Sequence, residues 1–167
     1  MTEREPLRIS HIAKAPIGVV WNAWTIADQL AKWWGPQGLK LTVVQANVEP
    51  GGKFHYLMSN EDGTQERFEM WGAFDYVSVD RHQQIVFINY FSDAEGGRSR
   101  HVLNPDWPLE VYNTLTFVED GDQTLIHLEG APLNAMPHEV DLFYANVESM
   151  RIGFGATFAQ LDEFLAS

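Results

Sequence analysis

The carboxy-terminal stretch from Ala135 to Ser167 constrains the fold more than any other part of the sequence. Val140, Phe143, Tyr144, Val147, Met150, Phe154, Phe158, Leu161 and Leu165 recur at steps of three or four, the spacing of one helix face. Asp141, Glu148, Gln160, Asp162 and Glu163 fall between them. Asn134 is placed to cap the start, and Pro137 sits in the first turn, where a missing N–H costs little. At about 1.5 Å per residue this helix runs roughly 40 Å. A globule of 167 residues is itself roughly 40 Å across. The helix therefore crosses the whole molecule, and the rest of the chain must supply the surface beneath it. Gly153 and Gly155 interrupt it on either side of Phe154, each costing about 1 kcal/mol relative to Ala. Two explanations stand: close packing of the helix on another backbone, or room left for a ligand beside Phe154.

Upstream, the hydrophobic period changes. Leu7 to Lys14 alternates as a first strand. Ala15-Pro16 opens a helix with Val19, Val20, Trp21 and Trp24 on its apolar side. A second short helix runs from Ala27 to Trp33 and stops at Trp33-Trp34-Gly35-Pro36. Strands follow at Leu39 to Glu49, Lys53 to Ser59, Gln65 to Val79, Gln84 to Ser92, Leu109 to Glu119 and Gln123 to Gly130. Asn60-Glu61-Asp62-Gly63 reads as a hairpin loop, and Gly72 as a kink or bulge. On the last two strands Asn113, Leu115, Phe117 and Thr124, Ile126, Leu128 share one face. Short connections make the sheet an antiparallel meander. The expected fold is α+β: six to seven strands curled around one long helix, with a concave space between. One domain is expected over residues 1–167, with an ordered core at about 7–166.

Charge and composition exclude several functions. Asp and Glu number 23 against 11 Lys and Arg, a net charge of −12 that repels phosphate backbones and anionic membranes. The sequence has no cysteine, hence no disulfide, thiolate nucleophile or Cys-based metal site. The polar start Met1-Thr2-Glu3-Arg4-Glu5-Pro6 is unlike a signal peptide, and no apolar run approaches the roughly 20 residues of a membrane span. A cytoplasmic protein without membrane insertion is the default expectation.

No motif of a P-loop, dinucleotide fold, zinc protease or EF-hand is present. His127 and Glu129 share a strand face, but alternation with Ile126 and Leu128 points them outward. Ser92-Asp93 with His101 lacks a nucleophile elbow and an oxyanion hole. Tyr56, Asn89, Tyr90 and Tyr112 are available for acid–base work, but strand phase alone does not say which point inward. No catalytic residue, metal ligand or cofactor is assigned. The loop from Asp93 to Pro108 is long and aperiodic, and it gathers Arg98, Arg100, His101 and Trp107, a cationic cluster in an acidic chain. It is either a solvated excursion or a candidate lid or binding loop, and in the second case Arg100 meets an anionic head group and Trp107 anchors the loop. The candidate ligand-binding residues are Trp34, Trp71, Phe91, Arg100, Trp107, Met150, Gly153 and Phe154.

Trp33-Trp34-Gly35-Pro36, Pro50-Gly51-Gly52-Lys53-Phe54, the Asp62-Gly63 hairpin and Trp71-Gly72 follow one another in a familiar order. Phe91-Ser92-Asp93, Trp107-Pro108-Leu109-Glu110, Ala131-Pro132-Leu133-Asn134 and Met150-Arg151-Ile152-Gly153-Phe154 continue it. Over nearly its whole length the sequence resembles the family named after the activator of the heat-shock-protein-90 ATPase, within the START-like, SRPBCC helix-grip superfamily. It departs from that pattern at Arg81-His82-Gln83-Gln84, which lacks the usual prolines and final arginine, and at Phe154, where relatives commonly carry tryptophan. The resemblance implies the helix-grip fold. For function it implies a set: a carrier of a small apolar or amphiphilic molecule, a co-chaperone with a chaperone as partner, or a polyketide cyclase-like enzyme. The first fits the residues best, with a homodimer left open.

Overall fold

A computed structural model describes residues 6–35, 39–60, 69–101 and 104–167. The expected turn at Glu61-Asp62-Gly63, the expected strand start from Gln65 to Phe68, and Pro36 lie outside the described residues. The elements in chain order are β1 (Leu7–Ala13), α1 (Ile17–Thr25), α2 (Ala27–Trp33), β2 (Leu39–Ala46), β3 (Lys53–Asn60), β4 (Glu69–Asp80) and β5 (Gln84–Phe91). They continue as β6 (Val111–Asp120), β7 (Gln123–Pro132), α3 (Pro137–Ala145) and α4 (Val147–Ala166). The strands form one seven-stranded sheet in the order β1-β7-β6-β5-β4-β3-β2, with antiparallel pairing throughout. β1 and β2 are thus its opposite edges, and α1 and α2 carry the chain from one to the other. This is the α+β helix-grip arrangement.

Alternation decides what the sheet buries. Asn113, Leu115 and Phe117 face the core with Thr124, Ile126 and Leu128, as their spacing predicts. Phe54, Tyr56, Phe74, Ile85 and Phe87 extend the same face across β3, β4 and β5. Against it pack Trp21, Trp24 and Trp33 of the short helices and Phe158 and Leu161 of α4. The rings meet mostly edge to face: Trp24 and Trp33 are 4.6 Å apart, and Trp34 and Phe74 4.9 Å. His127 and Glu129 lie on the outer face, where they bond Ser10 Oγ and Arg8 of the neighbouring β1.

Three local expectations are corrected. The stretch from Ala135 is two helices, not one, because Asn146 (φ −110°, ψ 19°) breaks the ladder. The Asn146 N–H bonds Phe143 O, three residues back, while its side-chain Nδ2 takes Leu142 O at 2.8 Å. That side-chain bond competes with continued helix. Asn134 is not the cap of α3, since it takes φ +53°; Glu139 instead reaches back to the Met136 N–H at 2.8 Å. Gly72 neither kinks nor bulges β4, being regularly paired with Tyr56 and Phe91. It is glycine because a Cβ there would stand 2.7–2.9 Å from the Tyr56 ring. The bulge lies between Tyr76 and Ser78.

Candidate functional site

The carboxy-terminal half of α4 is gripped, with Thr157, Phe158 and Leu161 buried. Its first half, with Met150 and Phe154 only partly covered, overhangs the sheet and leaves two adjoining hollows. The first, about 340 Å³, lies among Leu7, Asn89, Phe91, Val111, Asn113, Phe143, Asn146, Ser149, Met150, Phe154 and the loop residues His101, Asn104 and Trp107. The second, about 310 Å³, lies among Trp34, Tyr56, Met58, Met70, Gly72, Gly153 and Thr157. Asn89, Phe91, Met150 and Phe154 line both.

Of the eight residues named from sequence, seven line a hollow. Phe91, Met150 and Phe154 form the waist, Trp34, Trp71 and Gly153 border the second hollow, and Trp107 borders the first. Trp71 contributes less than expected. Its ring stacks 5.2 Å from His55, and the β3–β4 register puts both on the outer face, opposite Tyr56 and Phe74. Gly153 meets no atom within 4 Å of a built Cβ, so close helix packing does not explain it; it borders open space instead.

Arg100 is the correction. Its guanidinium pairs with Glu139 Oε2 and donates to Trp107 O, and it lines neither hollow. Glu139 is 4 % exposed although it is an acid. The Met136 N–H, then Arg100, hold its carboxyl below the usual carboxylate range. The cation expected to receive an anionic head group therefore fastens the loop to the start of α3.

Nor is the loop a free lid. Its first part folds over the outer face, where Asp93 Oδ1 accepts the N–H groups of Glu95 and Gly97. Lys53 Nζ donates to Gly96 O at 2.9 Å. Arg98 reaches Asp75 at 2.8 Å and Glu110 at 3.0 Å, lying 4.0 Å over the Tyr90 ring. Only the later part, with His101, Asn104 and Trp107, turns inward to the first hollow. Trp107 packs 5.6 Å from Phe143 there, and His101 sits edge-on to Phe91 at 4.4 Å.

Of the three tyrosines named from sequence, Tyr56 is buried on the inner face, and burial pushes its phenol up to about 12. Tyr90 points the other way, its hydroxyl on Asp75 Oδ1 at 2.8 Å, and Tyr112 is exposed. Burial holds His101 below its usual value. Sequence reasoning did not single out Asn104, Asn146, Ser149, Met58 and Met70. The helix break exposing Asn146 to the hollow had a signal only in asparagine's weak helix propensity. Among the described residues, no group of three or more His, Asp or Glu is placed to hold a metal, and no helix is long and apolar enough to cross a membrane.

A curled antiparallel sheet holding a carboxy-terminal helix, with a cleft between them, defines a START-like helix-grip protein. Within that class, the chain belongs to the family described as Activator of Hsp90 ATPase homolog 1-like protein, whose sequence model matches residues 14–166. Similar solved structures include a protein of Mycobacterium smegmatis, 24 % identical over 98 % of this chain and 96 % of that one, with a TM-score of 0.75. An Arthrobacter aurescens protein is 22 % identical over 96 % and 87 %, with a TM-score of 0.74. The AHSA1 protein from Silicibacter pomeroyi is 17 % identical over 96 % of both chains, with a TM-score of 0.69. These likenesses show the fold. A search of curated proteins gives no match.

Proposed function

We propose that this protein is a binding module for a small, largely apolar molecule held between the concave sheet and the first half of α4. The supporting observation is the pair of adjoining hollows, about 340 and 310 Å³, joined through Asn89, Phe91, Met150 and Phe154. Each has the size of a small-molecule site, roughly 300–1,000 Å³, and the mix expected of one: aromatic and thioether walls with a few polar groups.

Titration with the neutral fluorescent probe N-phenyl-1-naphthylamine tests this. Wild type should enhance its emission saturably. In Gly153→Leu the new side chain meets no atom near its Cβ and extends into the second hollow. It should weaken binding by about tenfold or more while the circular dichroism stays native. A folded Gly153→Leu protein with unchanged affinity would put the probe elsewhere and contradict the proposal.

A further inference from the structure

The two hollows offer different chemistry. The first collects Asn89, His101, Asn104, Asn113, Asn146 and Ser149. The second is aromatic and thioether, with Trp34, Met58, Met70 and the Tyr56 ring. Among the described residues, no Lys, Arg, Asp or Glu lines either one, in a chain whose net charge is −12. The nearby guanidiniums are engaged elsewhere, Arg98 by Asp75 and Glu110, and Arg100 by Glu139. Burial biases the ionisable groups of the lining toward their uncharged forms. Burial pushes Tyr56 up to about 12, raises Tyr90, and lowers His101. Nor does the start of α4 supply a positive end. It abuts the carbonyl end of α3 at Asn146 and carries Glu148 in its first turn. A carboxylate or ammonium leaving water for this cleft would meet no counter-charge, and an unpaired buried ion is disfavoured far more than a hydrogen-bonded neutral group.

The amides show which neutral groups fit. Asn113 Nδ2 donates to Asn89 Oδ1 at 2.6 Å and to Val111 O at 3.0 Å, which occupies both of its N–H groups. Asn89, its oxygen engaged, has its own amide N–H pair to offer the first hollow. Asn146 uses its Nδ2 on Leu142 O at 2.8 Å and has its side-chain oxygen to offer. The polar end of the cleft thus combines donors with an acceptor.

Resting on the binding role proposed above, we infer that the ligand is an uncharged amphiphile. Its polar end, an amide, hydroxyl or ketone, sits in the first hollow against Asn89 and Asn146. Its apolar body passes Phe91, Met150 and Phe154 into the aromatic hollow.

Displacement of N-phenyl-1-naphthylamine at pH 7.5 and constant ionic strength by octanamide, 1-octanol, octanoate and octylammonium tests the inference. The amide and the alcohol should compete at concentrations about tenfold below both ions. Octylammonium separates this cause from the field of an acidic protein, which would make the cation the strongest competitor. Either ion competing as well as the amide, with the probe still binding wild type, overturns the inference and leaves the binding role intact. If neither the probe nor any octyl compound binds, both fail. Asn89→Asp supplies a second arm, since it keeps the acceptor for Asn113 and adds one negative charge. It should improve octylammonium by about tenfold relative to octanamide. No change in that ratio in a folded variant would overturn the placement of the polar end at Asn89.

Discussion

Gly72 and Tyr56 meet across the β3–β4 ladder so closely that one fixes the identity of the other. A Cβ on Gly72 would stand 2.7 Å from the phenol oxygen, so Gly72→Ala must push the ring into the second hollow. Urea melts should show a loss of about 1–3 kcal/mol, the cost of overpacking. A loss below roughly half a kcal/mol, the usual range at an unconstrained surface site, would mean that the ring is not held there. The same enclosure makes the protein alkali-sensitive. The buried phenol has a pKa near 12 in the folded chain against its ordinary 10.0, so its contribution is intact below pH 10 and is lost as pH rises toward 12. Two pKa units correspond to about 3 kcal/mol. Tyr56→Phe should flatten the fall of stability between these pH values, read by urea melts at stepped pH, and an unchanged slope would place the loss elsewhere. Glu139 has the opposite sign. Its carboxyl is held low by the Met136 N–H and Arg100, so its contribution disappears as pH falls through the carboxylate range. Arg100→Gln should cost about 1 kcal/mol at pH 7 and less in acid, because the guanidinium it removes is only half covered, although its Glu139 partner is buried. A cost that stays constant down to acid pH would contradict the pairing.

At the scale of elements, α4 divides into a gripped half and an overhanging half. Phe158 is 2 % exposed and stacks 4.8 Å from His11, whereas Ile152, less than two turns earlier, is 74 % exposed. Phe158→Ala should therefore cost about 3–5 kcal/mol in urea melts, and Ile152→Ala should stay within roughly half a kcal/mol. Equal costs would mean that the helix is not held as described. The gripped half was legible in the sequence because Phe158, Leu161 and Leu165 repeat at the helical period and burial follows that period. The break at Asn146 was not, because apolar residues keep their spacing through it from Phe143 to Met150. The alternation of β6 and β7 showed which side chains face inward, since each strand carries a clear polar side. On β4 and β5 both faces are largely covered, so phase could not place Trp71 or Tyr90 and only the ladder does. Arg100 and Glu139 stand 39 residues apart, and no local pattern announces their pairing.

Across the whole molecule, strong acidity and an uncharged cleft belong to different places. The negative charge lies outside the hollows, while the cleft is lined by aromatics, methionines and amides. The cationic loop that suggested an anion site is neutralised by its surroundings: Arg98 binds Asp75 and Glu110 over the outer face, and Arg100 binds Glu139 at the start of α3. Sequence alone indicated the cleft through the glycines and aromatics of α4, but the second layer of lining required the sheet to be assembled. The methionines mark the cleft between the sheet and α4. Met58, Met70 and Met150 line the second hollow, while Met136 is 58 % exposed and lines neither. In protein labelled with 13C at the methionine methyls, titration with N-phenyl-1-naphthylamine should shift the resonances of Met58, Met70 and Met150 along one saturation curve and leave that of Met136 in place. Saturable probe binding that moves Met136 and leaves those three unchanged would contradict a ligand cleft between the sheet and α4.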